Sequence, residues 1–357
     1  MEDIVIIGGG IAGLSAAASV SPFARVTVLE AESQTGYHSS GRSAAAFLPD
    51  YGSPAVREMN YASYAPLAAI PDVLSPRSLM LVGKAGQEDQ FRSEAADLHL
   101  ETLSLDEARS IVPILNPDTC AHVALRDGVH DIDTDLLMQH FIRLARMNDT
   151  DIVRNARVDT ISHYGKRWVI TAGDRTWQAD TVINAAGAWV DRVAAMAGIP
   201  PIGFRPLRRS MARIALPDRY DATRWPFIES VGEQWYAKPD AGALLVSPAE
   251  EDLVEPHDAW ADDMVLAEGL ARYEEMVTEP VARMISNWAG LRTQSPDRSL
   301  VIGRDPAVPS FFWLGGQGGY GFLTCCAASS LTAALLAGFP PELAPASVAA
   351  LAPDRFR

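Results

Sequence analysis

The sequence predicts an α/β (α+β) fold in which a Rossmann-like nucleotide-binding domain with a β-meander crossover is joined to a second domain built on a large antiparallel or mixed sheet. Three observations support this prediction: a strand, glycine turn and helix at the N-terminus, the same pattern near the C-terminus, and alternating strand patterns between them. The chain has 357 residues, more than one compact core usually supports, so two connected domains are expected.

The N-terminal segment has the pattern of one βαβ unit. Residues 4–7 are a continuous apolar run, as in a parallel strand that is buried on both faces. Residues 14–20 are rich in alanine and predict a helix, and residues 26–29 are a second buried strand. The unit predicts the first layer of a parallel sheet.

A Gly8-x-Gly10-x-x-Gly13 turn joins the first strand to its helix, and Glu30 follows the second strand. Gly8 permits a tight turn, Gly10 lets the backbone approach a pyrophosphate, and Gly13 allows close helix packing. The free N–H groups of the helix start attract phosphate, and Glu30 can accept hydrogen bonds from a ribose diol. This context predicts a dinucleotide site; the alternative is a tight turn without a ligand.

The next elements are shorter. Residues 79–82 predict a strand, and Ser104 with Glu107 forms a capping-box pattern at a helix start. Another helix opens near Asp133, and its spacing predicts a buried face made of Leu136, Leu137, Phe141 and Leu144.

A β-meander is predicted from residues 158–163, 168–171 and 176–177, which alternate in polarity and are separated by turn residues. It leads into a buried strand at residues 181–184. The meander therefore replaces a helix as the crossover back to the parallel sheet, a device that flavin-binding sheets often use. Later strands are expected at 211–216, 234–237 and 243–247.

The nucleotide-type strands at both ends indicate a domain assembled from separate pieces. We predict an FAD-binding domain from residues 1–50, 131–202 and 291–357, and a substrate domain from residues 51–130 and 203–290.

Charge and composition narrow the class of protein. The formal net charge is −15, which disfavours nucleic acid as a partner. The N-terminus lacks the positive region of a signal peptide, and the three cysteines offer neither a disulfide framework nor metal-ligand spacing. The apolar helix predicted near residues 322–336 is shorter than the ~20 residues of a transmembrane helix. We expect a cytoplasmic protein without a transmembrane segment or a metal; peripheral association with a membrane stays open.

Two further small-residue turns favour FAD over an exchangeable nicotinamide. One follows the strand at 181–184, and the other, Gly315 to Gly321, precedes the apolar helix. Three turns on one ligand suit a long, enclosed cofactor. Glycine N–H groups before a helix also stabilise the negative charge of a reduced flavin. The alternative for this last turn is close packing alone.

These motifs resemble the D-amino acid oxidase and glycine oxidase superfamily, and most of all bacterial FAD-dependent D-arginine dehydrogenases and related D-amino acid dehydrogenases. The resemblance spans nearly the whole chain. It rests on the opening turn and on residues 36–45 (GYHSSGRSAA), 131–135 (DIDTD), 184–189 (NAAGAW), 238–242 (KPDAG), 288–292 (WAGLR) and 317–321 (QGGYG). It implies non-covalent FAD and hydride transfer from the substrate Cα to flavin N5. The imino acid product then hydrolyses to a keto acid and ammonia.

An amino-acid substrate needs its carboxylate held, and arginine does this best because its guanidinium binds bidentately. The resemblance makes Arg292 the carboxylate arginine, Arg209 a second one, with Arg208 as a one-position ambiguity, and Tyr236 a further carboxylate contact. It places Tyr51 near the substrate side chain as part of a lid, and Gly318 and Tyr320 along the flavin edge and the substrate amine.

Further residues are expected to bind the cofactor, by the motifs above or by the resemblance. They are Gly8, Gly10, Ile11, Ala12, Gly13, Glu30, Ala31, Ser40, Gly41, Arg42, Ser43, Ala45, Ala46, Val158, Ala185, Gly187, Trp189, Arg292, Gly316, Gln317, Gly318, Gly319, Tyr320 and Gly321.

Two departures bear on the substrate. Arginine-preferring relatives place a carboxylate after their Ser-Pro-Arg segment, where this chain has Leu79, and a histidine where it has Ala46. A substrate guanidinium that finds no carboxylate partner would bind less favourably by several kcal/mol, on the order of a lost charged hydrogen bond. We therefore expect a preference for neutral, apolar or aromatic D-amino acids.

Several alternatives stay open. The same scaffold serves glycine, sarcosine and opine-type oxidases, and a flavin enzyme for 2-hydroxy acids is a third possibility. The chain could also be a flavin-binding subunit of a larger complex. The electron acceptor, whether a quinone, a dye-like acceptor or oxygen, is not indicated by any motif.

Overall fold

A computed structural model describes residues 1–357. The strands, numbered in chain order, are β1 Glu2–Ile7, β2 Ala24–Leu29, β3 Ala46–Phe47, β4 Leu74–Lys84, β5 Glu101–Leu103, β6 Cys120–Ile132, β7 Asp151–Val153, β8 Thr160–Tyr164, β9 Arg167–Ala172, β10 Arg175–Ala179, β11 Thr181–Asn184, β12 Arg205–Ala215, β13 Phe227–Ser230, β14 Tyr236–Asp240, β15 Ala243–Ser247, β16 Asp252–Leu253, β17 Met284–Gln294, β18 Val301–Arg304 and β19 Phe311–Gly315. The helices are α1 Ile11–Val20, α2 Pro54–Ala68, α3 Glu88–Asp97, α4 Leu105–Ile111, α5 Thr134–Met147, α6 Val190–Met196, α7 Asp263–Glu275, α8 Gly321–Ala337 and α9 Pro345–Leu351.

A six-stranded sheet contains the Rossmann-like pattern, in the order β18-β19-β11-β1-β2-β7. All neighbours run parallel except β18 with β19. β1 lies between β2 and β11, so strands from both ends of the predicted nucleotide domain share one sheet. The apolar residues of β1 and the alanines of α1 and α8 are buried together, as the uninterrupted apolar runs predict.

The predicted β-meander is confirmed. β8, β9 and β10 form an antiparallel three-stranded sheet and connect β7 to β11, which are both parallel strands of the six-stranded sheet. Trp168 is buried and its indole N–H donates to the Ser310 carbonyl at 3.1 Å. The meander therefore packs on the six-stranded sheet in the position that a crossover helix takes in other nucleotide-binding folds.

The second sheet has ten strands and is mixed, in agreement with the predicted large antiparallel or mixed sheet. Its main path is β16-β12-β15-β14-β13-β4-β6-β3, with β17 paired to β12 and β5 to β6. Only β13 and β4 pair in parallel; the other pairs are antiparallel. In the β12–β17 pair, Leu207 lies opposite Arg292 and Arg209 opposite Gly290.

The predicted helix starts are confirmed, but one buried face is corrected. Ser104 and Glu107 form the capping box of α4, and Asp133 caps α5 through the Leu136 N–H. Leu136 and Leu144 are exposed, because α5 turns the adjacent face to the core; that face consists of Leu137, Met138, Phe141, Ile142 and Ala145.

The limits of the five predicted segments stay predictions, and two of them fall inside strands. Residue 130 lies within β6 and residue 290 within β17.

None of the helices has the length and the apolar character that crossing a membrane requires.

Candidate functional site

The first glycine turn is held by contacts that leave no room for larger side chains. Gly8 has a φ of +112°, and a Cβ there would overlap the carbonyl oxygen of Ala185. A Cβ on Gly13 would overlap the carbonyl oxygen of Gly8. Gly10 precedes α1 and offers no capping side chain, and the N–H of Ile11 donates to Ser40 Oγ at 3.0 Å. The turn therefore presents bare backbone at a helix start, as an anion site requires.

Glu30 lies at the end of β2 and is 8% exposed. Its Oε2 accepts the N–H of Gly9 at 2.8 Å and its Oε1 accepts the N–H of Glu32 at 2.8 Å. Burial raises the pKa of Glu30 above its usual value, and the two backbone hydrogen bonds offset part of that rise. The carboxylate is thus fixed beside the glycine turn.

A cleft of about 270 Å³ begins at this turn. The predicted residues Ala31, Val158, Gly187 and Trp189 line it. The sequence analysis missed several polar lining residues, namely Glu32, His38, Ser39, Arg157 and Arg192.

The loop between β2 and β3 forms one wall of the next part of the cleft. Ser39 Oγ donates to the Leu291 carbonyl at 2.7 Å, and Lys238 Nζ donates to the Ala44 carbonyl at 2.8 Å. Lys238 also pairs with Asp131 at 2.8 Å. Ala45 takes a left-handed φ of +49°, which is rare for a residue with a Cβ. These contacts from the ten-stranded sheet fix the loop against the cleft.

Arg42 was predicted to bind the cofactor, and it borders the cleft. Its guanidinium, however, donates to the carbonyls of Ala259 and Ala289 at 2.8 and 3.0 Å and pairs with Asp258 at 2.5 Å. The charge of Arg42 is therefore already satisfied by the protein, and its visible role is to tie the loop to β17.

The third glycine turn follows β19 and leads into α8. Gly318 has a φ of +48°, and a Cβ there would overlap the side-chain amide of Gln294. Gly316, at φ +74°, packs against Phe204 beneath the turn and does not line the cleft. Tyr320 precedes α8 without a side-chain capping bond, and the first turn of α8 has no acidic residue. This helix start can therefore stabilise negative charge in the cleft.

Arg292 and Tyr236 meet at the inner end of the cleft. Nη2 of Arg292 donates to the Tyr236 hydroxyl at 3.2 Å, across from the glycine turn. A Cβ on Gly319 would lie 3.4 Å from Nη1 of Arg292. Burial acts against the charge of Arg292, but neighbouring tyrosine oxygens and carboxylates outweigh it and raise its pKa. The site thus holds a buried, fully charged guanidinium.

The other three predicted side chains surround this pair. Arg209 is 6% exposed and reaches the cleft, with Nη2 donating to Glu251 at 3.2 Å. Of the two neighbouring arginines, Arg209 lines the cleft, whereas Arg208 does not and pairs with Asp252. Tyr51 and Tyr320 have ring centroids 5.0 Å apart. Burial raises the pKa of both phenols, so both are neutral donors.

A smaller cavity of about 60 Å³ adjoins Arg292, Arg209, Tyr51 and Tyr236. The apolar part of its wall contains Ala44, Ala45, Ala46, Leu48, Phe227 and Leu323. Its wall also contains two carboxylates, Glu229 and Glu233. The expected preference for neutral, apolar or aromatic side chains rested on Ala46 and Leu79 and stays a prediction; the two acids come from β13 and the turn that follows it.

The predicted residues fall into three groups. Gly10, Ile11, Ala12, Ser40, Ser43, Ala185, Gln317, Gly318, Gly319, Gly321 and Arg292 line the cleft. Gly8, Glu30 and their neighbours line its outer part. Gly13, Gly41, Gly316 and Tyr320 do not line it and act through packing. A Cβ on Gly41, for example, would press on the Gly36 carbonyl oxygen.

The cleft fits FAD on several independent features. The starts of α1 and α8 line its inner part together, a fixed carboxylate lies at its outer end, and several of its glycines have no room for a Cβ beside backbone or a buried amide. No group of three His, Cys, Asp or Glu side chains is placed to hold a metal ion.

This fold and this cleft define an FAD-dependent oxidoreductase. The chain belongs to the FAD dependent oxidoreductase (DAO) family, whose model matches residues 3–335. The closeness to D-arginine dehydrogenases within that family is not shown by the comparisons.

Two curated relatives match part of the chain. One is the hydrogen cyanide synthase subunit HcnC of Pseudomonas aeruginosa, at 25% identity over 58% of this chain and 48% of the relative. The other is L-2-hydroxyglutarate dehydrogenase of Escherichia coli, at 28% identity over 60% and 54% respectively. The chain thus matches about half the length of these relatives.

Solved structures agree with the fold over the whole chain. Glycine oxidase from Geobacillus kaustophilus superimposes with a TM-score of 0.83 at 18% identity, covering 99% of this chain and 98% of its own. L-proline dehydrogenase from P. horikoshii gives 0.83 at 18%, covering 99% and 97%. L-amino acid deaminase from Proteus vulgaris gives 0.78 at 13%, covering 99% and 97%.

Proposed function

We propose that the protein catalyses the oxidative deamination of a D-amino acid. The observation that carries this proposal is the buried Arg292–Tyr236 pair beside the glycine turn that precedes α8. A guanidinium enclosed in this way lacks a carboxylate of its own within hydrogen-bond distance, and a substrate carboxylate would supply one. The names of solved relatives (glycine oxidase, L-proline dehydrogenase and L-amino acid deaminase) support an amino acid as the substrate, whereas its D-configuration rests on the resemblance stated in the sequence analysis.

Bound FAD would supply the acceptor for the hydride that leaves the substrate Cα. The residues of the chain do the positioning. Arg292 binds one face of the carboxylate, and the hydroxyls of Tyr236 and Tyr51 donate to its oxygens. Arg209 supplies a second positive charge to the same cavity. Because these groups fix the carboxylate, they also fix the direction of the Cα–H bond.

The same residues would hold the two ends of FAD. Glu30 would accept hydrogen bonds from the adenosine ribose, and the N–H groups of Gly10 and Ala12 would face the pyrophosphate. The turn at residues 317–321 and the start of α8 would face the end of the flavin that becomes negative on reduction. Ser40, Ser43 and Ala45 would border the ring system.

No side chain needs to act as a general base if the substrate amine binds in its neutral form. The amine nitrogen then carries its lone pair into the reaction, and the imino acid that forms is hydrolysed to a keto acid and ammonia. The wall of the substrate cavity contains no histidine, and Tyr51, the tyrosine there whose pKa burial raises, keeps its proton. This agrees with a mechanism in which orientation supplies most of the rate.

The second candidate is oxidation of a 2-hydroxy acid. It is favoured by the likeness to L-2-hydroxyglutarate dehydrogenase, and the same arginine pair would bind such a substrate. A third candidate, a flavin subunit of a larger complex, is favoured by the likeness to HcnC.

The products distinguish these candidates. Purified protein with bound flavin is incubated with D-amino acids, glycine, N-methylglycine and 2-hydroxy acids under an artificial electron acceptor and then under oxygen. We expect equal amounts of keto acid and ammonia from a D-amino acid. Keto acid from hydroxy acids alone, or no turnover without an added partner protein, would contradict the proposal. The arm with oxygen tells an oxidase from a dehydrogenase that uses a quinone or a dye-like acceptor.

A further inference from the structure

Tyr51 lies in a short segment, residues 48–53, that joins β3 to α2 and borders the substrate cavity. The resemblance makes this segment part of a lid. In the structure, however, both polar main-chain groups of Tyr51 are bonded within the protein. Its N–H donates to the Leu48 carbonyl at 3.2 Å, and its carbonyl accepts from Asn60 Nδ2 at 2.9 Å. These are the contacts of a fixed element.

Asn60 is a fully buried amide in the middle of α2. Its Nδ2 also donates to the Pro49 carbonyl at 3.2 Å, so its two N–H bonds hold the carbonyls on either side of Asp50. Its Oδ1 has no hydrogen-bond partner. A buried oxygen without a partner is unfavourable, and asparagine is a weak helix former. The donors of Asn60 to the segment are therefore what this position supplies, since an apolar residue would avoid both disadvantages.

Asp50, the residue before Tyr51, is a second anchor of the segment and is 6% exposed. One carboxylate oxygen accepts Nη1 of Arg126 at 2.5 Å, and the other accepts the hydroxyl of Tyr61. Burial acts against the charge of Asp50, but these two hydrogen bonds outweigh it and lower its pKa. Because Arg126 belongs to β6 and Tyr61 to α2, the segment is held from the ten-stranded sheet and from the helix at once.

The C-terminal end of the segment is fixed as well. Gly52 has a φ of +102°, and a Cβ there would overlap the side chain of Val56. The Gly52 carbonyl accepts Nε of Arg57 at 3.0 Å, and the hydroxyls of Ser53 and Ser299 are hydrogen-bonded at 3.0 Å. The backbone on both sides of Tyr51 is thus held by contacts that lie outside the substrate cavity.

We propose that Asn60 and Asp50 are positioning residues, which hold Tyr51 in place before the substrate binds. Neither residue lines the cavity, so both act through Tyr51. A hydroxyl that is already in place beside Arg292 binds a carboxylate without the loss of freedom that ordering a mobile segment requires. This inference rests on the proposed function, in which the Tyr51 hydroxyl donates to the substrate carboxylate.

A double-mutant cycle tests whether Asn60 acts through the Tyr51 hydroxyl. The variant N60L has a side chain of similar size without donors, and Y51F removes only the hydroxyl. With D-leucine, or with the D-amino acid that turns over fastest, each variant should raise KM by roughly 2- to 10-fold and change kcat less. The double variant should raise KM no further than the single variants do, because the two residues serve one contact.

Ser63 provides the matched control. It is also fully buried in α2, and its Oγ accepts the N–H of Ala327 in α8 at 3.0 Å, away from the segment. S63A should therefore lower the melting temperature, as N60L does, and leave KM at the wild-type value.

Hydrogen exchange in the flavin-bound protein without substrate tests the anchoring independently of activity. In wild type, the Tyr51 amide should exchange slowly, and N60L should accelerate it by at least roughly 10-fold, the effect of a lost hydrogen bond. Y61F, at a half-exposed residue, should accelerate it less, and S63A should leave it unchanged. If N60L fails to fold, Y61F replaces it in the cycle.

The outcomes separate the two proposals. If the Tyr51 amide of wild type exchanges as fast as an unfolded peptide, the anchoring is wrong and the oxidative deamination stands. If N60L raises KM by the same factor in the Y51F variant as in wild type, Asn60 serves the fold and the inference is again wrong. If no D-amino acid reduces the flavin, the proposed function fails, and the exchange rates still decide whether Tyr51 is anchored.

Discussion

The guanidinium of Arg292 donates to the hydroxyl of Tyr236 at 3.2 Å, and this contact joins two strands that are not neighbours in the sheet, β17 and β14. It forms at the inner end of the cofactor cleft, where the ten-stranded sheet meets the glycine turn of the other sheet. The chemistry that we propose depends on this meeting of the two sheets.

Replacing Arg292 tests the carboxylate clamp. R292M should reduce kcat/KM by roughly 100-fold or more, because a charge-assisted bidentate contact is lost, and R292K should retain part of the activity. Flavin content and melting temperature should stay close to wild type. The matched control is R213M, whose arginine pairs with Asp240 on β14 outside the cavity. An R292M variant with normal kcat/KM would show that Arg292 does not bind the substrate carboxylate.

Replacing Tyr236 tests the support of the clamp. Y236F removes only the hydroxyl that accepts from Arg292, so it should raise KM by roughly 2- to 10-fold, the effect of one ordinary hydrogen bond. The value of kcat should change less. Steady-state kinetics with a single substrate give both numbers, and a large fall in kcat at unchanged KM would show a role in the chemical step instead.

Gly318 tests the glycine turn. G318A should lose FAD affinity and stability, because its Cβ would overlap the Gln294 amide and its φ is +48°. G173A is the matched control: its φ is +61°, but a Cβ there meets nothing within 4 Å. G173A should therefore show the backbone cost alone, about 1 kcal/mol, with unchanged flavin binding. Equal losses of FAD in both variants would contradict the role of the Gln294 contact.

Glu229 gives the stability a pH dependence. Burial, together with the charges of Glu233 and Glu94, raises the pKa of Glu229 to about 8 in the folded protein, and the charge of Arg209 opposes this rise. At pH values below the pKa that Glu229 has in the unfolded chain, its carboxyl is protonated in the folded and the unfolded state. It then does not lower the free energy of unfolding. As the pH rises towards 8, only the unfolded state releases the proton, so the folded state loses stability.

The variant E229Q removes this loss. Near pH 4.5, the variant and the wild-type protein should have the same free energy of unfolding. As the pH rises to 8, the free energy of unfolding of the variant should become larger than that of the wild type, by roughly 1–3 kcal/mol at pH 8. Denaturant unfolding at a series of pH values measures the difference. A difference that does not change with pH would show that Glu229 is ionised in the folded protein throughout.

The sequence predicted the fold better than the substrate cavity. The βαβ unit, the meander and the apolar helix α8 are local patterns, and each appears in the structure within a few residues of its predicted limits. Arg292 and Tyr236 were identified through a resemblance, and the structure brings them together. Arg42 was expected to bind the cofactor. The sequence does not show that its guanidinium donates to the carbonyls of Ala259 and Ala289, because these residues are distant along the chain.

Glu229 was missed for a physical reason. The parallel pairing of β13 with β4 places Glu229 opposite Leu81, although the two residues are far apart in sequence. An acid among the apolar residues Phe227, Ile228 and Val231 was the available signal, since a largely buried strand rarely contains a charged residue without a partner or a function.

The measurement that tests the central claim most directly is anaerobic flavin reduction with the two enantiomers of one amino acid, mixed rapidly with the FAD-bound protein and followed by visible absorbance. We expect the D-enantiomer to bleach the flavin in a saturable way, the L-enantiomer to leave it oxidised, and R292M to lose the reaction with the D-enantiomer. Reduction by the L-enantiomer alone, or by a 2-hydroxy acid and by no amino acid, would contradict the account.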